Sequence, residues 1–511
     1  MARLHEYQGK AILAANGFKI PRGRPASNAD EAVAVARELG GEFVVKIQAW
    51  TTGRAGISGV AFAKNPDDVR GHAERMLSMK VGQFPVEAVL VEEKIDIDRE
   101  FFLSFAINDA ARAPMIIFAA GGGSGIEERA SSTRRIPCDV NSGPLDSAVN
   151  EAVASCGLSP THATQLADSI RQLFAAARSV EARSLEINPL VLTKDGEFVA
   201  ADCRITIDDY AVARRPELGI EIAREFDHPP TALERVAYAV EQNYHRGTFY
   251  FAQLATTAAK DSKGLVGFHG AGGGGSMMSM DAIVNAGFSI ANFTDTSGNP
   301  SASKVYRAAR IILAQPELVG YFGSGSGVAS QEQFWSAYGL AKAFSELDLD
   351  IPAVIRLGGN TEDRAVDILH RMAKLLRAPV EGYRKTDTPA MIAARFAELV
   401  AGAKGAKWKP RHPRVPKFIK DSSATTFPVK NGRVWIDTAQ WLQIRPAVET
   451  HSGGLIVDRG GAPAAALSGD EFATKDSELL ACDVECRLAG IGGFYLELDI
   501  PGLDDLFGCE G

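Results

Sequence analysis

Residues 181–204, Glu-Ala-Arg-Ser-Leu-Glu-Ile-Asn-Pro-Leu-Val-Leu-Thr-Lys-Asp-Gly-Glu-Phe-Val-Ala-Ala-Asp-Cys-Arg, constrain this chain more than any other stretch. Two apolar runs, 187–192 and 198–201, flank Lys194-Asp195-Gly196, which is the signature of a β-hairpin. Side chains alternate along a strand, so Glu186 and Asn188 share one face. Asp202 closes the second run and is placed to come opposite them. Oxygen ligands gathered on one sheet face suit a hard cation such as Mg²⁺, which keeps several waters and takes few protein ligands. The same residues would equally serve an ordinary polar surface hairpin.

A chain of 511 residues is too long for one core and is expected to divide into two to four domains. Hydrophobic content of 46% and charged content of 23% are those of a soluble globular protein. A net charge of −8 argues against a general nucleic-acid binder, which would be basic. No stretch approaches the roughly eighteen uninterrupted apolar residues of a membrane span. The first residues, Met-Ala-Arg-Leu-His-Glu-Tyr-Gln, lack the apolar core of a signal peptide. Six cysteines do not make a disulfide scaffold, so the cytoplasm is the expected compartment.

Periodicity and punctuation organise the rest. Residues 4–16 read as a helix ended by Gly17, and 43–48 as a strand carrying Lys46. Three more strands are expected at 87–94, 100–108 and 115–120. From about Leu265 the pattern changes to strand, glycine turn and helix in alternation. Apolar runs at 265–268, 318–322 and 353–357 lead into His269-Gly-Ala-Gly-Gly-Gly-Gly-Ser276, Gly323-Ser-Gly-Ser-Gly327 and Gly358-Gly-Asn360. This is βαβ organisation, a parallel sheet with ligand loops at the strand C-termini. Residues 404–420 hold seven Lys or Arg and three Pro, and read as a linker or as an extended arm on an acidic surface. Beyond them, short strands and an Asn431-Gly432 hairpin signal suggest a small, mostly β domain.

Several side chains are candidates for chemistry. Lys46, followed by Thr51-Thr-Gly-Arg-Ala-Gly56, could pair with nucleotide phosphates beneath a glycine loop. Glu92 and Glu100 could accept from a ribose and an adenine amine, or be solvated edge residues. Gly121-Gly-Gly-Ser-Gly125 before Glu127-Glu128 could form an anion nest or a plain turn. The amides of the 269–276 glycine run open a helix and could bind an anion. Cys482, Cys486 and Cys509 resemble a partial metal site, but their spacing is not that of a zinc knuckle and packing thiols are the better reading.

Together these pieces resemble the β subunit of succinyl-CoA synthetase and related nucleotide-diphosphate-forming acyl-CoA ligases. The motifs are Leu4-His-Glu-Tyr-Gln-Gly-Lys10, Val44-Val-Lys46 with Gly53-Arg54, Leu90-Val-Glu92, Arg99-Glu100, Glu186-Ile-Asn-Pro-Leu190 with Asp202, Gly270-Ala-Gly272, Gly327-Val-Ala329 and Arg356-Leu-Gly-Gly-Asn360. They cover residues 1–400 in the family's order. The resemblance implies an α/β chain with an ATP-grasp nucleotide-binding domain over 1–227 and a flavodoxin-like CoA-ligase domain over 228–403. The 404–420 linker and a β-rich extension over 421–511 match nothing in the family.

The implied reaction joins a carboxylate to CoA at the expense of ATP or GTP, through an acyl phosphate and a phosphohistidine. Carried over, Lys46, Gly53, Arg54, Glu92 and Glu100 would bind nucleotide, Asn188 and Asp202 would hold Mg²⁺, and Glu186 would orient the phosphorylated histidine. His269, Gly270, Gly327, Val328 and Ala329 would contact substrate. The phosphohistidine and most of the CoA site belong to an α-type partner subunit, in an αβ or α2β2 assembly, and no nucleic-acid or membrane partner is implied. The family's Gly-Arg-Gly-Lys is Gly53-Arg-Ala-Gly56 here, and its Arg-Leu-Glu-Gly-Asn is Arg356-Leu-Gly-Gly-Asn360. Loss of that glutamate and wider, glycine-rich loops would suit a larger or more anionic acid than succinate, as in citrate-using relatives. Other readings are an ATP-grasp ligase that does not use CoA, and a non-catalytic scaffold subunit.

Overall fold

The computed structural model describes residues 1–50, 54–122, 133–242, 248–325, 327, 329, 332–414 and parts of 425–507. Gly53 and Val328, both expected to touch ligands, lie outside the described residues, as do Glu127, Glu128, Cys482, Cys486 and Cys509. The chain forms two compact units, Met1–Pro230 and Thr231–Gly511.

The first unit holds two large antiparallel sheets and a short ribbon of Lys80–Val81 with Phe84–Pro85. The smaller has the order Gly23–Ala26, Val89–Glu93, Phe43–Ile47, Val60–Ala63. Helices Ala29–Leu39 and Pro66–Leu77 cover one of its faces. Both start on an asparagine, Asn28 and Asn65, whose side chains accept from the amides of Glu31 and Asp68. Phe43, Val45 and Ile47 turn toward these helices, and alternation sends Lys46 to the opposite face.

The larger sheet centres on two twelve-residue strands, Ile97–Asn108 and Ala182–Thr193. Phe101, Leu103, Phe105, Leu185 and Ile187 pack beneath helix Pro160–Ser179. The odd-even alternation therefore lifts Glu100, Ser104 and Glu186 onto the other face. The hairpin is as expected: Leu190 pairs with Ala200 and Glu186 with Arg204. That one register puts Asn188 level with Asp202.

The second unit is a doubly wound sheet. Its parallel strands lie in the order Asn292–Asp295, Leu265–Ala271, Leu318–Gly325, Ala353–Arg356, Val380–Tyr383, with Tyr250–Gln253 antiparallel at the edge. Numbered along the chain, the parallel strands run 2-1-3-4-5, the flavodoxin-like order. Helices Gly273–Asn285 and Pro389–Gly402 pack on one face, and Ala302–Ile312, Phe334–Glu346 and Glu362–Ala373 on the other. In this topology the ligand crevice opens where strand order reverses, at the C-terminal ends of Leu265–Ala271 and Leu318–Gly325. Both glycine-rich loops emerge there.

The described residues after 403 pack into the second unit, which differs from an expected linker followed by a domain of its own, and the Asn431-Gly432 turn lies outside the described residues. Of the two readings of 404–420, the described residues match the arm: Trp408 is fully buried with its Nε1 donating to Leu313 O, and Arg411 and Arg414 pair with Asp350 and Asp348. Further on, Leu480, Val484, Leu496, Leu498, Ile500 and Leu503 belong to the core of the second unit. The physical reason is a buried ion cluster that joins them to helix Phe334–Glu346. Lys342 Nζ lies 2.5 Å from both Glu346 Oε1 and Asp483 Oδ2, and Arg487 reaches Asp483 at 2.6 Å and Glu346 at 3.1 Å. All four side chains have 0% exposure, and their formal charges cancel. Removing one member leaves a buried charge unpaired, which costs on the order of 3–5 kcal/mol. Asp483→Ala in the full chain should accordingly lower the denaturant midpoint of the second unit's transition, while a surface control such as Asp30→Ala should not.

Candidate active site

In the first unit, the strand that carries Lys46 and the hairpin that carries Asp202 meet at an ion cluster. Lys46 Nζ donates to Glu6 Oε1 at 2.8 Å and to the Ala201 carbonyl at 2.8 Å, and lies 3.0 Å from Glu92 Oε2. Arg54 donates from Nη1 to Glu6 Oε2 and from Nη2 to Asp202 Oδ2, both at 2.6 Å. Lys10, one turn after Glu6, lies 2.7 Å from Glu6 Oε1 and 2.5 Å from Glu92 Oε1. Burial alone would raise the Glu6 pKa, but Lys46, Lys10 and Arg54 outweigh it and hold the carboxyl well below its ordinary value. Burial would depress the Lys46 and Arg54 pKa values, and the facing carboxylates instead push both up.

Lys46, Arg54, Glu92 and Asp202 are thus brought together, but Glu92 is turned inward. Its carboxylate is 3% exposed and serves as a counter-ion to two lysines, not as an open acceptor for ribose or base. Glu100 sits apart from the cluster, opposite Val191 on the larger sheet. Glu186 pairs in register with Ser104, and its Oε1 accepts from Asn188 Nδ2 at 3.4 Å.

The donor set for a cation is a carboxylate from Asp202 and an amide from Asn188 at one level of the hairpin, with Glu186 one step along. Only oxygen donors are on offer, which fits Mg²⁺ bound largely through water and phosphate. No cluster of three or more His, Cys, Asp or Glu side chains poised for a metal occurs among the described residues. Asp202 is 32% exposed, and its carboxylate is held by Arg54 and by the Cys203 amide.

In the second unit, His269 departs from its expected role. It is buried, with Nδ1 at 2.5 Å from Tyr321 Oη and Nε2 at 3.1 Å from Thr296 Oγ1. Burial lowers its pKa to about 4, against a smaller opposing pull from Asp295. Both ring nitrogens are engaged, so His269 braces the crevice floor and presents no nitrogen to a substrate or phosphoryl group. Two amides of the glycine run are also engaged from within. Asp295 accepts from Gly272 N at 2.9 Å and Gly273 N at 3.1 Å, occupying the helix N-terminus that the sequence assigns to an external anion.

Gly270 pairs with Asp295 on the neighbouring strand. Ala329 forms a bridge with Gly359, so the loops after Leu318–Gly325 and Ala353–Arg356 lie against each other. Gly327 has φ +77°, and a Cβ there would stand 3.0 Å from Arg356 Nη2. A Cβ at Gly358 would stand 2.8 Å from Gly327 Cα and 2.7 Å from Lys385 Cβ. The glycine that replaces the family's glutamate thus lets two loops close on one another, which corrects the expectation of widened space.

Sequence reasoning missed Arg356 as a site residue. It is buried, and among the described residues it donates only to the carbonyls of Gly325 and Lys385 and its Nε has no partner. A guanidinium that faces carbonyl oxygens and no paired carboxylate is a ready anchor for an anionic ligand.

Residues 3–192 match the ATP-grasp domain family. The chain is 32% identical over 371 residues to the ADP-forming succinate–CoA ligase β subunit of Rubrobacter xylanophilus, spanning 72% of this chain and 92% of that protein. To the GDP-forming β subunit of Thermus thermophilus it is 33% identical over 371 residues, with 72% and 93% covered. ATP citrate lyase from Methanothrix soehngenii, solved with citrate and coenzyme A, shares the fold, with a TM-score of 0.60 at 17% identity over 78% of this chain and 99% of that one. An ATP-grasp unit followed by a doubly wound ligase unit is the class these features define. The chain belongs to the succinate–CoA ligase β-subunit family.

Because neutral His269 is buried, an unfolded chain takes up its proton below about pH 6.5 and the folded chain only near pH 4. Stability from this residue is complete above pH 6.5 and is lost as pH falls toward 4, by on the order of 3 kcal/mol. The unfolding midpoint of the second unit should drop across that window in wild type and less steeply in His269→Asn.

Proposed function

We propose that this chain is the nucleotide-binding β-type subunit of an acid–thiol ligase that makes a CoA thioester from a di- or tricarboxylate, with ADP or GDP as co-product. The observation that carries the reading is the pairing of Lys46 and Arg54, at the rim of a buried ion cluster, with an oxygen-bearing hairpin. The cations would take nucleotide phosphates, and Asn188 and Asp202 would hold Mg²⁺. That ion would neutralise phosphate oxygens during transfer. Glu186, on the same face, would orient the histidine that receives the phosphoryl group.

That histidine would come from an α-type, CoA-binding partner. His269, the histidine beside the glycine loop, has both nitrogens engaged and supports this assignment by being unsuited to the task. Arg356 favours an anionic acid in the second unit's crevice, and the absence of a glutamate at position 358 leaves its charge for the substrate. A cytoplasmic location is supported by Cys138, Cys156 and Cys203, which are buried and unpaired. No helix among the described residues is long and apolar enough to cross a membrane.

Co-purification with its partner, followed by a CoA-thioester assay across succinate, malate and citrate, tests the reading. Asp202→Asn should lower Mg-nucleotide-dependent turnover at least about tenfold without unfolding the chain; unchanged turnover would remove Asp202 from the metal site. Arg356→Gln should raise KM for the carboxylate by about one to two orders of magnitude while nucleotide affinity holds. A shift in nucleotide affinity alone would place Arg356 outside the acid site.

A further inference from the structure

Lys10 stands outside every residue assigned to a ligand, yet the ion cluster is built around it. Its Nζ bridges Glu6 Oε1 and Glu92 Oε1, and Lys46 bridges the same two carboxylates from the other side. Arg54 then links Glu6 to Asp202. Three cations and three carboxylates cancel in formal charge, but they are not equally accessible. Lys10, Glu6 and Glu92 are 2–3% exposed, whereas Lys46 is 11%, Arg54 12% and Asp202 32%.

That gradient divides the cluster into a sealed half and a half at the rim. A phosphate arriving at the rim draws Lys46 and Arg54 toward itself. With those two as the only cations, their departure would strand two buried glutamates, and unpaired buried carboxylates are strongly unfavourable. Lys10 removes that obstacle, since it touches both glutamates and is itself too buried to follow.

We infer that Lys10 is the resident counter-ion of Glu6 and Glu92, a positioning residue that frees Lys46 and Arg54 to exchange carboxylate for phosphate. The inference rests on the nucleotide reading of this site. It makes the two members of the pair formed by Glu6 and Lys10 act in opposite directions. Lys10 promotes nucleotide binding, and Glu6 competes with phosphate for the same cations.

The test is calorimetric titration of the full chain with Mg-ATP, using wild type, Lys10→Met and Glu6→Gln, with thermal unfolding recorded for each. Glu6→Gln keeps the side-chain shape, Lys10→Met shortens it by one atom, and each removes one charge. Lys10→Met should weaken nucleotide binding about tenfold or more, and Glu6→Gln should tighten it severalfold. A purely structural cluster would weaken binding in both variants, so loss in both overturns the inference. Wild type that binds nucleotide alongside Lys10→Met of equal affinity overturns it too. Wild type that fails to bind overturns the nucleotide reading and Lys10's role together. If Lys10→Met does not fold, Glu6→Gln decides alone: tighter binding upholds the exchange, and weaker binding refutes it.

Discussion

Charge taken out of water sets the terms for both units. A carboxylate as buried as Glu6 persists only because three cations converge on it, and each of those sits on a different element. Lys10 comes from the first helix, Lys46 from a strand of the smaller sheet and Arg54 from the segment after it. Asp202 and the Ala201 carbonyl bring in the hairpin of the larger sheet. One ion cluster thereby fixes the distance between the two sheets of the first unit. The same device recurs in the second unit, where Lys342, Glu346, Asp483 and Arg487 tie a late segment of the chain to a helix over a hundred residues earlier.

The hairpin was legible because a period of two needs no knowledge of the fold. Glu186 and Asn188 are two apart, and a Lys194-Asp195-Gly196 turn leaves little choice of register. The glycine loops were likewise visible as punctuation after apolar runs, and the parallel sheet followed from their alternation with helices. Lys46 and Arg54 were legible through motif resemblance, since neither is distinctive alone.

The remainder needed tertiary information. Glu6 and Lys10 stand four apart on a helix, a spacing that usually marks a solvated surface pair. Only Glu92, 82 residues later, reveals that the pair is buried. His269 misled because Leu265–Ala271 is a central parallel strand with both faces covered, so alternation does not say which way a side chain turns. Residues after 403 misled for a related reason. Trp408, Leu480, Val484 and Leu496 among them join the core of the second unit, and nothing local announces a remote partner.

Gly358 carries a consequence for how such a chain can vary. Its missing Cβ is filled by the backbone of Gly327 and by Lys385, while Gly327 in turn yields its own side-chain space to Arg356. A side chain restored at Gly358 must push the backbone of Gly327, and one placed at Gly327 must displace the tip of Arg356, so a change at either glycine reaches the same guanidinium from a different part of the sequence.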